Sequence, residues 1–156
     1  MTTTDQQAVI DSEAFQVTRS VLIRAPREKV WAALTRDDLV AQWFGQRASL
    51  PDLRVGGEGS VGFDGHGDFA IRIEEYDEPT TFAFTWSDVA GEPLRPDGST
   101  LVRFTLEADG AATVLRVVES GFEHLGDPVA SMESNRGGWT SELDELAAFL
   151  DAQPAS

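Results

Sequence analysis

The stretch that decides the fold lies near the C-terminus, where residues 128–151 read PVASMESNRGGWTSELDELAAFLD. Its large apolar residues recur at i, i+4, i+7 and i+11, the spacing of one face of an α-helix. Gly137 and Gly138 interrupt the segment, and each costs up to about 1 kcal/mol relative to alanine in a helix. The segment therefore predicts a long amphipathic helix with space or close packing at the glycine pair. The residues of the apolar face are Trp139, Leu143, Leu146 and Leu150.

Upstream of this helix the apolar period changes to two, which is typical of β-strands. Sequential strands joined by short turns pair antiparallel, so the pattern predicts an antiparallel meander. The longest connection, 87–99, contains two prolines and two glycines and is consistent with either a lip over a site or an ordinary hairpin connection. The alternating segments are 60–63, 69–76, 81–86, 100–107 and 113–119.

The N-terminal part adds one strand and two short helices. Apolar and polar residues alternate from Gln16 to Arg24, which predicts a strand. Pro26 suits the start of a helix, where its missing N–H costs nothing. Thr35 is placed to cap a second short helix that ends at Gly45. The order of elements predicts an α+β fold.

Length and composition fit one domain. The chain has 156 residues, of which 41% are hydrophobic and 25% charged, as in ordinary globular proteins. We expect a flexible lead-in over residues 1–15, a single domain over 16–151 and a short tail over 152–156.

The charge and the termini exclude several classes of function. The net charge is −15 and no basic cluster occurs, whereas nucleic acids and anionic lipids are recognised through basic patches. No apolar run reaches the roughly 18 residues of a membrane span, and the N-terminus lacks the basic and apolar regions of a signal peptide. These features predict a cytoplasmic protein that binds no nucleic acid and does not insert into membranes.

Several segments together resemble a known family. They include APREKVW at 25–31, RVGG at 54–57, FAFTW at 82–86, VLRVVESGF at 114–122 and GGW at 137–139. In this order and spacing they are similar to the homologues of the activator of heat-shock-protein ATPase. That family belongs to the START-like superfamily, with Bet v 1-type and polyketide-cyclase-type domains.

The resemblance runs from residue 16 to residue 151 and implies a helix-grip fold. In that fold a curved antiparallel sheet wraps around the long C-terminal helix, two short helices follow the first strand, and a cavity lies between sheet and helix. Only about 15 residues precede the first strand, so the chain resembles the stand-alone bacterial form. The superfamily includes binders of lipids, hormones and polyketides as well as a few cyclases.

The strand alternation and the helix face nominate residues for the wall of such a cavity. Large aromatic side chains form ordinary cores as often as they form ligand sites, so the same residues are equally consistent with a filled interior. On the sheet they are Phe69, Ile71, Phe82, Phe84, Trp86, Phe104 and Leu115, with Trp139 and Leu143 on the helix and Trp43 and Phe44 near one mouth.

Arg19 is a further candidate because it shares one side of its strand with Val17 and Val21. If that side faces inward, the charge requires a partner, which makes Arg19 a ligand anchor or half of a buried ion pair. An arginine at the sheet edge that reaches solvent is the alternative.

No catalytic or metal motif accompanies these residues. The chain has no cysteine, its two histidines are far apart, and neither a G-x-S-x-G elbow nor an HExxH pattern occurs. We therefore predict no metal and no cofactor, and an enzyme is less expected than a binding protein.

Three functions stay open at the level of sequence. The first is binding of a small hydrophobic or amphipathic molecule without catalysis, by a monomer or homodimer. The second is a polyketide-cyclase-like or hydrolase-like enzyme that uses polar residues in the same cavity. The third is a protein-interaction module such as a regulator of a chaperone ATPase.

Overall fold

The computed structural model describes residues 7–95 and 97–151 of the chain. The strands are β1 (Val9–Asp11), β2 (Gln16–Ile23), β3 (Arg47–Ser49), β4 (Glu58–Phe63), β5 (Gly67–Asp77), β6 (Thr81–Ser87), β7 (Ser99–Asp109) and β8 (Ala112–Ser120). The helices are α1 (Arg27–Thr35), α2 (Asp37–Trp43) and α3 (Pro128–Asp151), with a 3₁₀ turn at Phe122–His124.

All eight strands form one antiparallel sheet in the order β1-β2-β8-β7-β6-β5-β4-β3. Strands β3 to β8 follow one another as a meander, and β2 joins its far side by pairing with β8, for example at Val21 and Leu115. The curved sheet wraps around α3, so the predicted helix-grip α+β fold is confirmed.

The alternation of side chains explains which face of the sheet is buried. In β7 every second residue from Val102 to Leu106 is buried, and in β8 the same holds from Thr113 to Glu119. Because successive strand residues point to opposite faces, these side chains share the concave face that meets α3.

Helix α3 has the predicted bounds, Pro128–Asp151, and its apolar face packs on the sheet. Leu143 and Leu146 are fully buried, and Trp139 and Leu150 are nearly so. The i, i+4, i+7 spacing thus predicted both the helix and its buried side.

The predicted helix cap at Thr35 is wrong. Thr35 is the last residue of α1, and its hydroxyl donates a hydrogen bond of 2.9 Å to the Trp31 carbonyl. Arg36 occupies the N-cap of α2, and its side chain makes no capping hydrogen bond to the helix backbone. A threonine at the end of one helix bonds back to the preceding turn and is not free to cap the next.

Part of the predicted lead-in, 1–15, differs from the structure. Residues 9–11 form β1, which pairs with β2 between Val9 and Thr18. The Ala8 N–H also donates to the Thr140 hydroxyl of α3 at 2.9 Å. The predicted tail, 152–156, lies outside the described residues.

Candidate ligand cavity

An open cavity of about 520 Å³ lies between one end of the sheet and the first half of α3. Its volume falls within the roughly 300–1,000 Å³ range of small-molecule sites. The sheet supplies one wall from β4, β5, β6 and β7, and α3 supplies the other.

Aromatic rings make up the sheet side of the cavity and its floor. Phe44 stacks on Trp139 with ring centroids 5.3 Å apart and planes at 7°, and Trp86 lies 6.2 Å from Trp139. Phe63 and Phe69 meet edge to face at 5.9 Å. All five rings line the cavity, so a flat apolar molecule would meet ring faces and edges on several sides.

Small residues of α3 line the opposite side. Ala130, Ser131, Ser134 and Gly138 all border the cavity. A Cβ atom built on Gly138 meets no atom within 4 Å beyond its own helix backbone. The space predicted at the glycine pair is therefore part of this cavity.

The rim is formed by two loops. His66, in the turn between β4 and β5, and Asp88, just after β6, both line it. The backbone N–H of Gly91 donates to the Asp68 carbonyl at 2.8 Å, which ties the loop after β6 to the start of β5. The connection over 87–99 thus borders the cavity through its first residues.

Glu119 on β8 holds the two indole rings of the cavity in place. Its side chain has no exposed surface. Its Oε1 accepts a hydrogen bond from Trp139 Nε1 at 2.8 Å, and its Oε2 accepts one from Trp86 Nε1 at 2.9 Å. The Thr100 hydroxyl and the Asn135 amide donate to the same carboxyl group. One buried side chain therefore connects β6, β7, β8 and α3.

Sequence reasoning missed Glu119, although a signal for it exists. Glu119 is in phase with Leu115 and Val117 on β8, so the alternation already places a carboxyl group on the inward face. An inward carboxyl group requires donors, and Trp86 and Trp139 carry the indole N–H groups that meet this need.

Glu142 on α3 is the second carboxyl group at the cavity. Its Oε2 atom is buried and has no hydrogen-bond partner among the described residues. Burial, aided by the charge of Glu145, raises the pKa of Glu142 to about 7 against the opposing hydrogen bond with the Gly45 backbone. Glu142 follows Gly138 by four residues, which places both on one side of α3.

The other end of the interior is closely packed. A void of only about 10 Å³ remains there, and it is bordered by Ile71, Phe82, Phe84 and Phe104. Trp43 lies at the same end and donates from Nε1 to the Ala33 carbonyl at 2.7 Å.

The predicted wall residues therefore divide between two regions. Phe69, Trp86 and Trp139 line the open cavity, whereas Ile71, Phe82, Phe84, Phe104 and Trp43 lie at the packed end; Phe44 borders both. Leu115 and Leu143 are fully buried in the core and border neither space.

Arg19 has the ion-pair partner that its inward position was predicted to require, although only the arginine side of the pair is buried, since Asp144 is 62% exposed. The Arg19 side chain is 2% exposed and donates to Asp144 Oδ1 at 2.6 Å. Its other terminal nitrogen donates to the carbonyls of Thr140 at 2.5 Å and Trp139 at 3.3 Å. The side chain of Arg19 thus links β2 to α3 through an ion pair and hydrogen bonds. Arg19 is not among the residues that line the cavity.

Two classes of feature are not found in the part of the chain that the structure describes. No group of three or more His, Asp or Glu side chains is placed to hold a metal ion among residues 7–95 and 97–151. Within the same residues, no helix is both long and apolar enough to cross a membrane.

Comparison with known proteins agrees with this architecture. The family model described as Activator of Hsp90 ATPase homolog 1-like protein matches residues 24–151. The chain belongs to this family. The START-like fold of this family is a ligand-binding fold. No curated protein matches the sequence.

Several solved structures have a fold similar to that of this chain. Protein MLL2253 from Mesorhizobium loti is 24% identical over 90% of this chain and 99% of its own, with a TM-score of 0.77. The Aha1 dimer from Colwellia psychrerythraea is 22% identical over 90% and 98%, with a TM-score of 0.74. DynU16, from the dynemicin biosynthetic locus, is 29% identical with a TM-score of 0.73. The match covers 88% of this chain and 47% of DynU16, so this chain spans about half of DynU16's length.

Proposed function

We propose that this family member binds a small hydrophobic or amphipathic molecule in the open cavity without converting it. The observation that carries the proposal is the cavity of about 520 Å³ between five aromatic rings and the small residues of α3. Apolar, concave sites with a few polar groups are the usual form of small-molecule sites.

The rings provide enough apolar contact for useful affinity. Burial of apolar surface stabilises by roughly 25 cal/mol per Å². An aromatic ligand that buries about 200 Å² would gain on the order of 5 kcal/mol before the cost of association. A gain of that size corresponds to a Kd of roughly 0.2 mM, so affinities in the high micromolar to millimolar range are expected for simple aromatic probes.

A neutral fluorescent probe, N-phenylnaphthylamine, tests whether the cavity is the binding site. Gly138→Phe places a ring in the cavity, whereas Gly137→Phe makes the same change one residue earlier, at a position that does not line it. We expect Gly138→Phe to weaken probe binding at least about tenfold, or 1.4 kcal/mol, and Gly137→Phe to leave it near the wild-type value. Equal binding by all three proteins would overturn the proposal.

Native mass spectrometry of the purified protein addresses the identity of the ligand. A co-purified small molecule that is lost in Gly138→Phe and retained in Gly137→Phe would be assigned to the cavity. A molecule retained by both variants would be bound elsewhere.

One observation favours an enzyme as the second candidate function. A carboxyl group with a pKa near 7 at the edge of a ligand cavity suits general acid–base catalysis, and Glu142 meets that description. A polyketide-cyclase-like or hydrolase-like reaction predicts that the molecule co-purified with Glu142→Gln changes its mass or its chromatographic retention time when wild type is added. A molecule that keeps both its mass and its retention time supports the non-catalytic proposal.

The remaining sequence-based expectations stay predictions. They are a cytoplasmic location, a monomeric or homodimeric state and the interaction-module alternative. Large exposed hydrophobic side chains of the described residues are spread over different elements, for example Val9 on β1, Leu22 on β2 and Val129 on α3.

A further inference from the structure

One residue that lines the open cavity has a buried side-chain oxygen without a hydrogen-bond partner among the described residues. Glu119 is saturated by donors from Trp86, Trp139, Thr100 and Asn135. Glu142 differs, because it lines the cavity and its buried Oε2 atom has no partner among the described residues. A buried acceptor without a donor is costly, so a ligand that supplies the donor gains more than its apolar contacts provide.

We propose that the cavity takes an aromatic or other apolar molecule that carries a protonated amine, and that the amine donates to Glu142 Oε2. This inference rests on the proposed function, since it names the chemical class of the ligand for the same cavity. In the bound state the apolar body would lie among the aromatic rings and the amine would face α3.

The charges around the cavity favour a cation over an anion. Of the described residues that line it, none is a lysine or an arginine, and Asp88 joins Glu142 at its border. The net charge of the whole chain, −15, adds attraction for a cation at long range. An anionic head group would instead meet two carboxyl groups without a neighbouring arginine or lysine.

The aromatic lining adds a second preference for a cation. The faces of tryptophan and phenylalanine rings attract ammonium groups within about 6 Å. Trp139 precedes Glu142 by one helical turn and lines the same cavity. The rings of Phe63, Phe69 and Trp86, which line the cavity and are partly exposed, offer a cation such contacts in addition to the carboxyl group.

Binding of a cation at Glu142 is expected to depend on pH. The groups around Glu142 are Glu145 on α3 and the Gly45 amide after α2, with His66 and Asp88 across the cavity. Only the ionised carboxylate pairs with an amine, and Glu142 ionises near pH 7. The affinity for an amine should therefore rise about tenfold between pH 6 and pH 8.

Three ring-matched probes test the inference: naphthylmethylamine, naphthylmethanol and naphthoate. Quenching of tryptophan fluorescence reports binding, because Trp86 and Trp139 line the cavity. At pH 8 we expect the amine to bind at least about tenfold more tightly than the alcohol, and the alcohol more tightly than naphthoate. The amine alone should weaken as the pH falls to 6.

Two variants on α3 separate a role of Glu142 from a general effect of charge. Glu142→Gln should abolish both the advantage of the amine over the alcohol and its pH dependence, while alcohol binding persists. Glu145→Gln removes the same charge one turn away and should keep the advantage of the amine. Because Glu145 raises the pKa of Glu142, this variant should also shift the pH dependence to lower pH.

The outcomes distinguish failure of this inference from failure of the proposed function. If the alcohol or naphthoate binds wild type as tightly as the amine, or if Glu142→Gln keeps the preference for the amine, the ligand class is wrong although the cavity binds. If none of the three probes binds, or if binding is unaffected by Gly138→Phe, the proposed function fails together with the inference.

Discussion

The two ends of the interior share one sheet and one helix, yet one end is filled and the other is open. At the packed end, Phe82 and Phe84 of β6 border a void of about 10 Å³. At the open end, Trp86 of the same strand borders a cavity of about 520 Å³. The alternation of side chains along β6 continues from the packed end to the open end. The difference between the two ends therefore arises from the elements that pack over β6.

Helix α3 and the short helices supply that difference. The second half of α3 presents large side chains such as Leu143 and Leu146 to the core, and Trp43 of α2 borders the packed end. The first half of α3 presents Ser134 and Gly138 to the cavity. A cavity can therefore be made in a helix-grip fold by small residues on half of one helix, without a change in the sheet.

The largest effect is expected from a truncation in the packed core. Leu143→Ala removes a fully buried side chain and leaves a void that rigid neighbours cannot fill, so we expect a loss of about 2–5 kcal/mol in the free energy of unfolding. Urea denaturation followed by circular dichroism measures the change.

Leu125→Ala is the matched control at the open end. Leu125 is 6% exposed and already borders the cavity, so its truncation enlarges existing space and creates no new void. We expect it to cost at least about 1 kcal/mol less than Leu143→Ala. Equal losses would show that the two ends are packed alike.

The sequence predicted the helices and strands better than it predicted the division of the interior into a packed end and an open end. The spacing of Trp139 and Leu143 predicted α3 with its observed bounds, and the period of two predicted every strand from β4 to β8. Neither pattern separates Phe84 from Trp86, since both are aromatic residues on the same face of one strand. Whether such a side chain is core or wall depends on residues distant in the sequence that cover it.

The candidate site was harder to predict because its polar groups depend on tertiary contacts. Arg19 was predicted to need a partner, but Asp144 is 125 residues away and became evident only in the folded chain. The strands β1 (Val9–Asp11) and β3 (Arg47–Ser49) are short. The alternation of side chains within each of them is too brief to indicate a strand. Glu142 lies off the apolar face formed by Trp139, Leu143, Leu146 and Leu150, so helical periodicity does not indicate that it borders the cavity.

An intermediate effect is expected at Glu119, because hydrogen bonds fix the aromatic side chains of the open end. Glu119→Gln keeps the shape but directs an amide N–H₂ group at existing donors, either Trp139 Nε1 or Trp86 Nε1. A buried donor left without an acceptor costs about 1–3 kcal/mol. We expect a loss of that size in denaturation, with a change in tryptophan fluorescence as the indoles lose their fixed positions.

Glu107→Gln provides the control for charge. Glu107 is exposed on the neighbouring strand β7, and surface substitutions of this kind stay within about 0.5 kcal/mol of wild type. Wild-type stability in both variants would show that Glu119 does not hold the open end together.

The smallest effect is expected at Glu142, whose ionisation lowers the free energy of unfolding of the protein. Its folded pKa of about 7 lies above the ordinary value of 4.5, so the folded state holds a proton that the unfolded chain releases between these values. Stability that depends on the neutral carboxyl is fully present below about pH 4.5 and is lost as the pH rises through 7.

Glu142→Gln is neutral at every pH and should remove this dependence. Because Glu142 is only half-buried, solvent screening reduces the effect to about 1 kcal/mol. We expect the variant to match wild type near pH 5 and to melt about 2–4 °C higher at pH 8, as thermal denaturation at both values would measure. A variant that is less stable than wild type at pH 8 would mean that Glu142 Oε2 has a partner in the free protein in addition to the hydrogen bond between the carboxyl group and the Gly45 backbone. An amine ligand would then have to displace that partner, and the gain expected from pairing with Glu142 Oε2 would be smaller.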